Sequence, residues 1–485
     1  MLNTKLIYKI LGALLGLEAT VMTCSLVMAF YYHEDDVLAF IISIILTIVA
    51  ATILRFMGLG AENSLGRRDA YLLVTATWAV FSLFGSLPFL ISGYIPNFTD
   101  AYFETMSGFS TTGASVIDRV EALPHGMLFW RSLTQWIGGL GIVFFTVAIL
   151  PSLVGGNVKV FSAEATGPIR AKMHPRLSTT AKWIWTIYLL LTLMCLGSFY
   201  LAGMSVFDAA NYAMTVTATG GFATHDASTG YFHSISIDYI AIFFMFLSGT
   251  SFTLLYMSFF KGKISKLFKN TEFKFYSVII LCATVVITYI LMAYSNYDIH
   301  TAVRKSLFQV VSFMTTTGIF NDDAGKWPHI TWVVLSLCMF FGGCAGSTSG
   351  GFKCIRGMMT VTAVRNELKR ILHPKAVLPV KANGQSVPYP AQVSVMAFFI
   401  LYMMMCFFTY FVMIVMGVDS TNSITIAISC ASNVGPALGL EIGPTMSWTT
   451  LPDMVKWLLS VLMLMGRLEI LTVIVLFTPA FWKDR

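Results

Sequence analysis

The chain has 485 residues, of which 56% are hydrophobic and 11% charged, and its mean hydropathy is +0.75. A water-soluble core this apolar would aggregate, so composition excludes a soluble globular protein and indicates a polytopic membrane protein. The net charge of +7 is not a nucleic-acid signal, because the basic residues sort by membrane side.

In chain order, apolar runs able to cross roughly 30 Å of hydrocarbon lie near 6–31, 37–57, 71–93, 127–154, 181–203, 235–260, 274–294, 329–349 with a continuation toward 372, 391–417 and 454–482. These predict about ten transmembrane helices. The first reads as a retained span, since no small-residue cleavage site precedes His33–Asp36. With the N-terminus inside, 24 of the 31 Lys and Arg residues fall on one side. The opposite loops carry acids such as Asp100, Asp118, Asp226, Asp322 and Glu441. Both termini are therefore expected in the cytosol. The eight cysteines show no paired CxxC spacing and read as reduced packing residues rather than zinc ligands or disulfides.

Four polar stretches interrupt this pattern: Phe109-Ser-Thr-Thr-Gly113, Val216-Thr-Ala-Thr-Gly220, Phe313-Met-Thr-Thr-Thr-Gly318 and Ala431-Ser-Asn-Val-Gly435. Their glycines are separated by about 107, 98 and 117 residues, which suggests one unit repeated four times. A single Thr-Gly would merely end a helix. Each stretch, however, follows a segment (99–110, 205–217, 300–315 and 419–432) that reaches about 18–22 Å as a helix, too short to span. These segments open with capping residues: Thr99 and Asp100, Ser205 and Asp208, Asp298 and Thr301, Asp419 and Ser420. A half-helix capped at the outer surface aims its negative end at the membrane midplane, where it favours a cation. Non-helical backbone is tolerated there if it lines a water-filled pore.

The expectation is a ring of backbone carbonyls from Thr111, Thr112 and Gly113; Ala218, Thr219 and Gly220; Thr316, Thr317 and Gly318; and Asn433, Val434 and Gly435. The predicted fold is all-α, with four pseudo-repeats of helix, pore loop and helix around one central pore. An N-terminal two-helix segment (1–60) precedes repeats at 70–155, 180–260, 274–372 and 391–485.

With these motifs, the Phe341-Phe-Gly-Gly-Cys-Ala-Gly-Ser-Thr-Ser-Gly-Gly-Phe-Lys353 stretch and Met465-Gly-Arg467-Leu-Glu469, the chain resembles the Trk/Ktr/HKT superfamily of cation transporters over essentially its whole length. It is most similar to the TrkH family, the membrane subunits of bacterial Trk potassium uptake systems, which share the two additional N-terminal spans. The resemblance implies a bacterial inner-membrane protein, K+ as the transported ion with no other cofactor, and a homodimer. Glycine at all four ring positions, Gly113 first among them, goes with potassium preference in this superfamily.

The stretch 341–353 breaks the second span of the third repeat, with Gly342, Gly343, Gly346, Gly350 and Gly351 interleaved with Ser347, Thr348 and Ser349. At about 1 kcal/mol of helix penalty per glycine, a continuous helix is disfavoured. Two readings stand: close helix packing through small residues, or an intramembrane loop that blocks the pore and moves aside, which the resemblance implies. Gly346-Ser-Thr-Ser-Gly350 is not a nucleophile elbow, since Thr stands where Ser is needed. Arg467 lies in an apolar span, where an unpaired cation costs a few kcal/mol. It stands beside the ion path or in a buried ion pair. Glu469 is not its expected partner, because residues two apart on a helix diverge by about 200°. Lys353 caps the loop's carbonyls, meets a partner, or follows the positive-inside bias.

His174-Pro175-Arg176 and His373-Pro374-Lys375 read as helix-ending turns and candidate docking sites. No G-x-G-x-x-G fingerprint follows a strand, so nucleotide regulation is expected from another chain. The resemblance identifies that partner as a TrkA-type cytosolic nucleotide-binding subunit. A membrane enzyme would need a nucleophile–base pair or metal cluster within the spans, and neither is present in the sequence. Ion-coupled symport with H+ or Na+ remains the transport alternative, sustained by Glu18 and Glu469.

Overall fold

In hydrocarbon every backbone N–H and C=O must be paired within its own segment, so long apolar runs become helices. The computed structural model describes residues 2–62, 64–141 and 177–483, with the side chains of 177–180 outside the description. An N-terminal pair, α1 (Thr4–Tyr32) and α2 (Val37–Met57), packs along its length. Next come α3 (Arg67–Gly85), α4 (Leu87–Ser92), α5 (Phe98–Phe109) and α6 (His125–Gly139). The remainder of the expected 127–154 span, and His174-Pro175-Arg176, lie outside the described residues.

Repeat 2 contains α7 (Leu177–Leu201), α8 (Val206–Ala218), α9 (Ile235–Ser248) and α10 (Phe252–Phe259). After α11 (Ile264–Lys269), repeat 3 contains α12 (Thr271–Tyr294), α13 (Ile299–Met314), α14 (His329–Phe341) and α15 (Cys354–Leu372). A two-stranded hairpin, Lys381–Ala382 with Gln385–Ser386, turns through Asn383 (φ 53°) and Gly384 (φ 79°), an Asn-Gly turn of the kind such hairpins prefer. Repeat 4 follows as α16 (Tyr389–Val415), α17 (Ser420–Ser432), α18 (Asp453–Leu468), α19 (Ile470–Ile474) and the short α20 (Pro479–Trp482).

Among the described residues, six helices are long and apolar enough to cross a membrane, or up to eight if two bent pairs each count as one span. The bent pairs correct two expectations. The run 235–260 breaks between α9 and α10 with a bend of 103°, and the run 454–482 breaks after Leu468 with a bend of 114°. The broken span at 329–372 becomes α14 and α15 separated by residues 342–353.

Helices α5, α8, α13 and α17 are the re-entrant elements, of 12, 13, 16 and 13 residues. Ser205, Asp298 and Asp419 cap three of them by accepting from the amides of Asp208, Thr301 and Thr421. The first cap is Asn97, which accepts from Thr99 N at 2.9 Å, rather than Thr99 itself. The buried apolar residues form two large clusters, one joining the N-terminal pair with repeats 1 and 4, the other joining repeats 2 and 3. Large side chains such as Ile45, Val285 and Phe408 stay exposed on the perimeter, as expected for surfaces solvated by lipid.

Candidate functional site

Each re-entrant helix ends in the same backbone device. One residue turns left-handed, at Thr111 (φ 54°), Thr219 (54°), Thr316 (58°) and Asn433 (56°), and two residues later a glycine does so again, at Gly113 (82°), Gly221 (87°), Gly318 (77°) and Gly435 (101°). For an L-residue this region costs roughly 1–2 kcal/mol, a penalty glycine escapes. Space demands glycine too. A methyl group on Gly113 would strike the carbonyl oxygen of Gly220; on Gly221, that of Thr317; on Gly318, that of Val434; on Gly435, that of Thr112. The four segments therefore close in cyclic order, each glycine abutting the next segment's carbonyl.

This corrects the register of the second repeat. The positions filled by Thr111, Thr112 and Gly113 in repeat 1 are filled by Thr219, Gly220 and Gly221 in repeat 2, and Ala218 is the last residue of α8. Of the two adjacent glycines, the second carries the left-handed φ. The doubled glycine was the available sequence signal. Among the other expected ring residues, Thr112, Thr316, Thr317 and Val434 are fully buried and Gly113 is partly exposed. Asn433 joins repeats 4 and 1, donating to Thr112 Oγ1 at 3.0 Å and to Met463 O at 2.9 Å. Thr111 Oγ1 and Asn433 Oδ1 are buried without a hydrogen-bond partner among the described residues.

On one side of the ring lies a cavity of about 90 Å³, lined by the four glycines and by Asp118, Arg131, His225 and Asp226. Sequence reasoning passed over Arg131 and Glu104, although charges in apolar segments were a visible signal. They form a buried ion pair at 2.9 Å. Arg131 also donates to Ala223 O and Ser115 Oγ and lies 4.1 Å from the Phe222 ring centroid, while Glu104 accepts from Val116 N. The pair thus clamps the segments that leave the ring in repeats 1 and 2. Hydrogen bonds from Ser447 and Thr449 hold the Asp118 carboxyl below its usual range. For His225, burial pulls the pKa down, but Asp208 and Glu121 outweigh it and raise it.

On the other side, residues 342–353 run directly beneath the ring, where they touch repeats 2 and 4 and the ring segment of their own repeat. Thr348 Oγ1 donates to Thr217 O (3.1 Å) and Ser248 O (3.2 Å), and Gly350 N donates to Thr316 Oγ1 (2.7 Å). Gly350 is pressed against Ser432 O, where a side chain would collide. Arg467 donates to Thr348 O at 2.7 Å and to Gly138 O and Gly139 O at 2.6 Å each, linking the loop to the end of α6. Within the loop, Gly343 N donates to Ser349 Oγ, Ser347 Oγ to Cys344 O, and the buried Lys353 Nζ to Ser349 O. Gly342, Gly346 and Gly351 take left-handed φ. The loop hangs on repeat 2 through Cys344 N to Gly249 O and Phe252 N to Gly346 O, both 2.9 Å. Glu272, at the start of α12, accepts from Ala345 N and Ile355 N, near the two ends of the loop. Glu469 turns away from Arg467 because the helix has already ended. Its φ is 65°, and it pairs with Arg356 at 2.6 Å.

Four re-entrant turns closed into a ring within a bundle of apolar helices define a pore-type membrane transport protein. A family model for TrkH, described as a cation transport protein, matches residues 37–484. The chain is 36% identical over 484 residues to the Trk system potassium uptake protein TrkH of Halomonas elongata, covering 99% of this chain and 100% of that one. It is also 36% identical over 488 residues to the protein of the same description in Escherichia coli K12, covering 100% of each. The crystal structure of the potassium transporter TrkH from Vibrio parahaemolyticus matches with a TM-score of 0.89 at 36% identity, covering 99% of both chains. The chain belongs to the TrkH family of cation transport proteins, a family of transporters rather than enzymes.

Proposed function

We propose that the protein takes up potassium across the bacterial inner membrane through a channel-like pore, in which carbonyls at 111–113, 219–221, 316–318 and 433–435 replace the ion's hydration shell. The observation that carries this reading is the cyclic abutment of each ring glycine on its neighbour's carbonyl. Residues 342–353 act as the gate, in a shut position beneath the ring, and Arg467 latches them while its charge opposes a second cation below the filter. The basic side faces the cytosol with both termini. There a TrkA-type nucleotide-binding subunit regulates the gate, and the membrane subunit works as a homodimer, as the family resemblance implies.

The test is rubidium and sodium flux into liposomes holding the purified protein, alongside growth rescue of potassium-uptake-deficient cells at low external potassium with sodium competition. Gly113→Ser is expected to lower the rubidium-to-sodium flux ratio, and an unchanged ratio would sink the filter assignment. Proton coupling is the competing reading, and one observation favours it: the Glu18 carboxylate is buried against Gly85 with no hydrogen-bond partner among the described residues. A reversal potential that moves with an imposed pH gradient would select it.

A further inference from the structure

Of the four ring segments, the second has no side chain at its middle position: Thr112, Thr317 and Val434 have Gly220 as their counterpart. In repeats 1 and 3 that side chain is a hydroxyl held by another hydroxyl two residues back, Ser110 to Thr112 and Thr315 to Thr317, each at 2.7 Å. In repeat 2 both members of this pair are absent, because the residues are Ala218 and Gly220. The backbone does not call for glycine at 220, which lies outside the left-handed region. Occupied space does. A methyl group there would sit 2.5 Å from both Cδ and Oε1 of Gln135.

Gln135 lies on α6 of the neighbouring repeat and is fully buried. Its Nε2 donates to Gly220 O at 2.6 Å and its Oε1 accepts from Phe222 N at 3.0 Å. The amide therefore spans Gly221 as a clamp, with its donor and its acceptor both engaged.

We propose that Gln135 is a positioning residue for ion selectivity, supplying from repeat 1 the restraint that the hydroxyl pairs supply within repeats 1 and 3. This rests on the ring being the filter. The amide occupies one lone pair of the Gly220 carbonyl and leaves the other for an ion. A carbonyl pinned in this way resists the inward shift that a smaller dehydrated cation requires.

Gln135→Met keeps length and volume but loses both hydrogen bonds. In proteoliposomes it should lower the rubidium-to-sodium flux ratio about fivefold, the equivalent of one net hydrogen bond, while sodium flux persists. A filler role alone would leave the ratio at the parent's value, and that result overturns the proposal. A transplant supplies the second arm: Gln135→Ala with Ala218→Ser and Gly220→Thr places the hydroxyl pair of the other repeats in the vacated space and should restore the ratio. If Gln135→Met does not yield monodisperse protein, the transplant decides: folded and selective supports the proposal, and any other outcome overturns it. Gly113→Ser is measured in parallel. An unchanged ratio there defeats the filter reading itself, whereas a changed ratio there with a parental ratio in Gln135→Met defeats the role of Gln135 alone.

Discussion

The ring and the layer of broken helices beneath it are built on opposite principles. The ring reaches near-equivalence from unequal sequences, Thr-Thr-Gly twice, Thr-Gly-Gly and Asn-Val-Gly, because what repeats is a pair of backbone dihedrals. Below it the repeats diverge: repeat 2 bends by 103° after Ser248, repeat 4 by 114° at Glu469, and repeat 3 opens into residues 342–353. These three breaks hold one another through Gly249 with Cys344, Arg467 with Thr348, and Arg356 with Glu469. On the proposed reading, a coordination ring needs four like ligands, whereas a gate that moves on its own needs to differ from its neighbours.

Several substitutions would break or sharpen that contrast. The largest effect is expected at the clamp beside the ring. Arg131→Ala leaves Glu104 buried without its counter-charge and should cost about 3–5 kcal/mol, read as thermal stability of the detergent-purified protein; a near-parental value would remove the pair from the framework holding the ring. Within the ring, Gly318→Ala combines a left-handed φ with a collision against the Val434 carbonyl. It should reduce rubidium uptake at least about tenfold, while Val434→Thr, which keeps the branched shape, should retain transport. Equal loss in both would mean that side chains, not dihedrals, define the ring.

In the layer below, Arg467→Gln removes charge-assisted hydrogen bonds, individually of about 1.5–3 kcal/mol, from the loop and from α6. Flux without any partner should rise several-fold, and flux at or below the parent's would show that this contact does not hold the loop shut. The smallest effect is expected at the cavity on the opposite side of the ring, which His225 lines. The pKa of His225 is raised in the folded state. Its contribution is therefore fully present below the ordinary histidine value near 6.5 and lost as pH rises through the folded value. Parent stability relative to His225→Asn should fall over that window, and parallel profiles for the two proteins would deny the linkage.

The re-entrant helices were legible nearly to the residue, with 206–218 found where 205–217 was expected and 299–314 where 300–315 was expected. Their signals are local: a short apolar run, a cap and a polar stop. The break at 342–353 was legible for the same reason, since five glycines oppose a helix wherever they occur. The breaks at 249–251 and at Glu469 were not. A single Gly-Thr-Ser is ordinary inside a span, and Glu469 favours helix intrinsically; its left-handed φ is offset by the Arg356 carboxylate–guanidinium pair, formed 113 residues away. The slipped register in repeat 2 has a similar origin, because either glycine of Thr-Gly-Gly satisfies a local pattern.

By itself, the sequence determined which segments are apolar, where its basic and acidic residues cluster and the fourfold recurrence of a polar stop, since each is read from neighbours along the chain. Tertiary structure alone decided which carbonyl each glycine meets, which of two adjacent glycines enters the ring, and that Gln135 and Arg467 reach residues 85 and 119 positions away. Those choices follow from excluded volume and from the need to pair buried polar atoms across repeats. Both are properties of space rather than of sequence order.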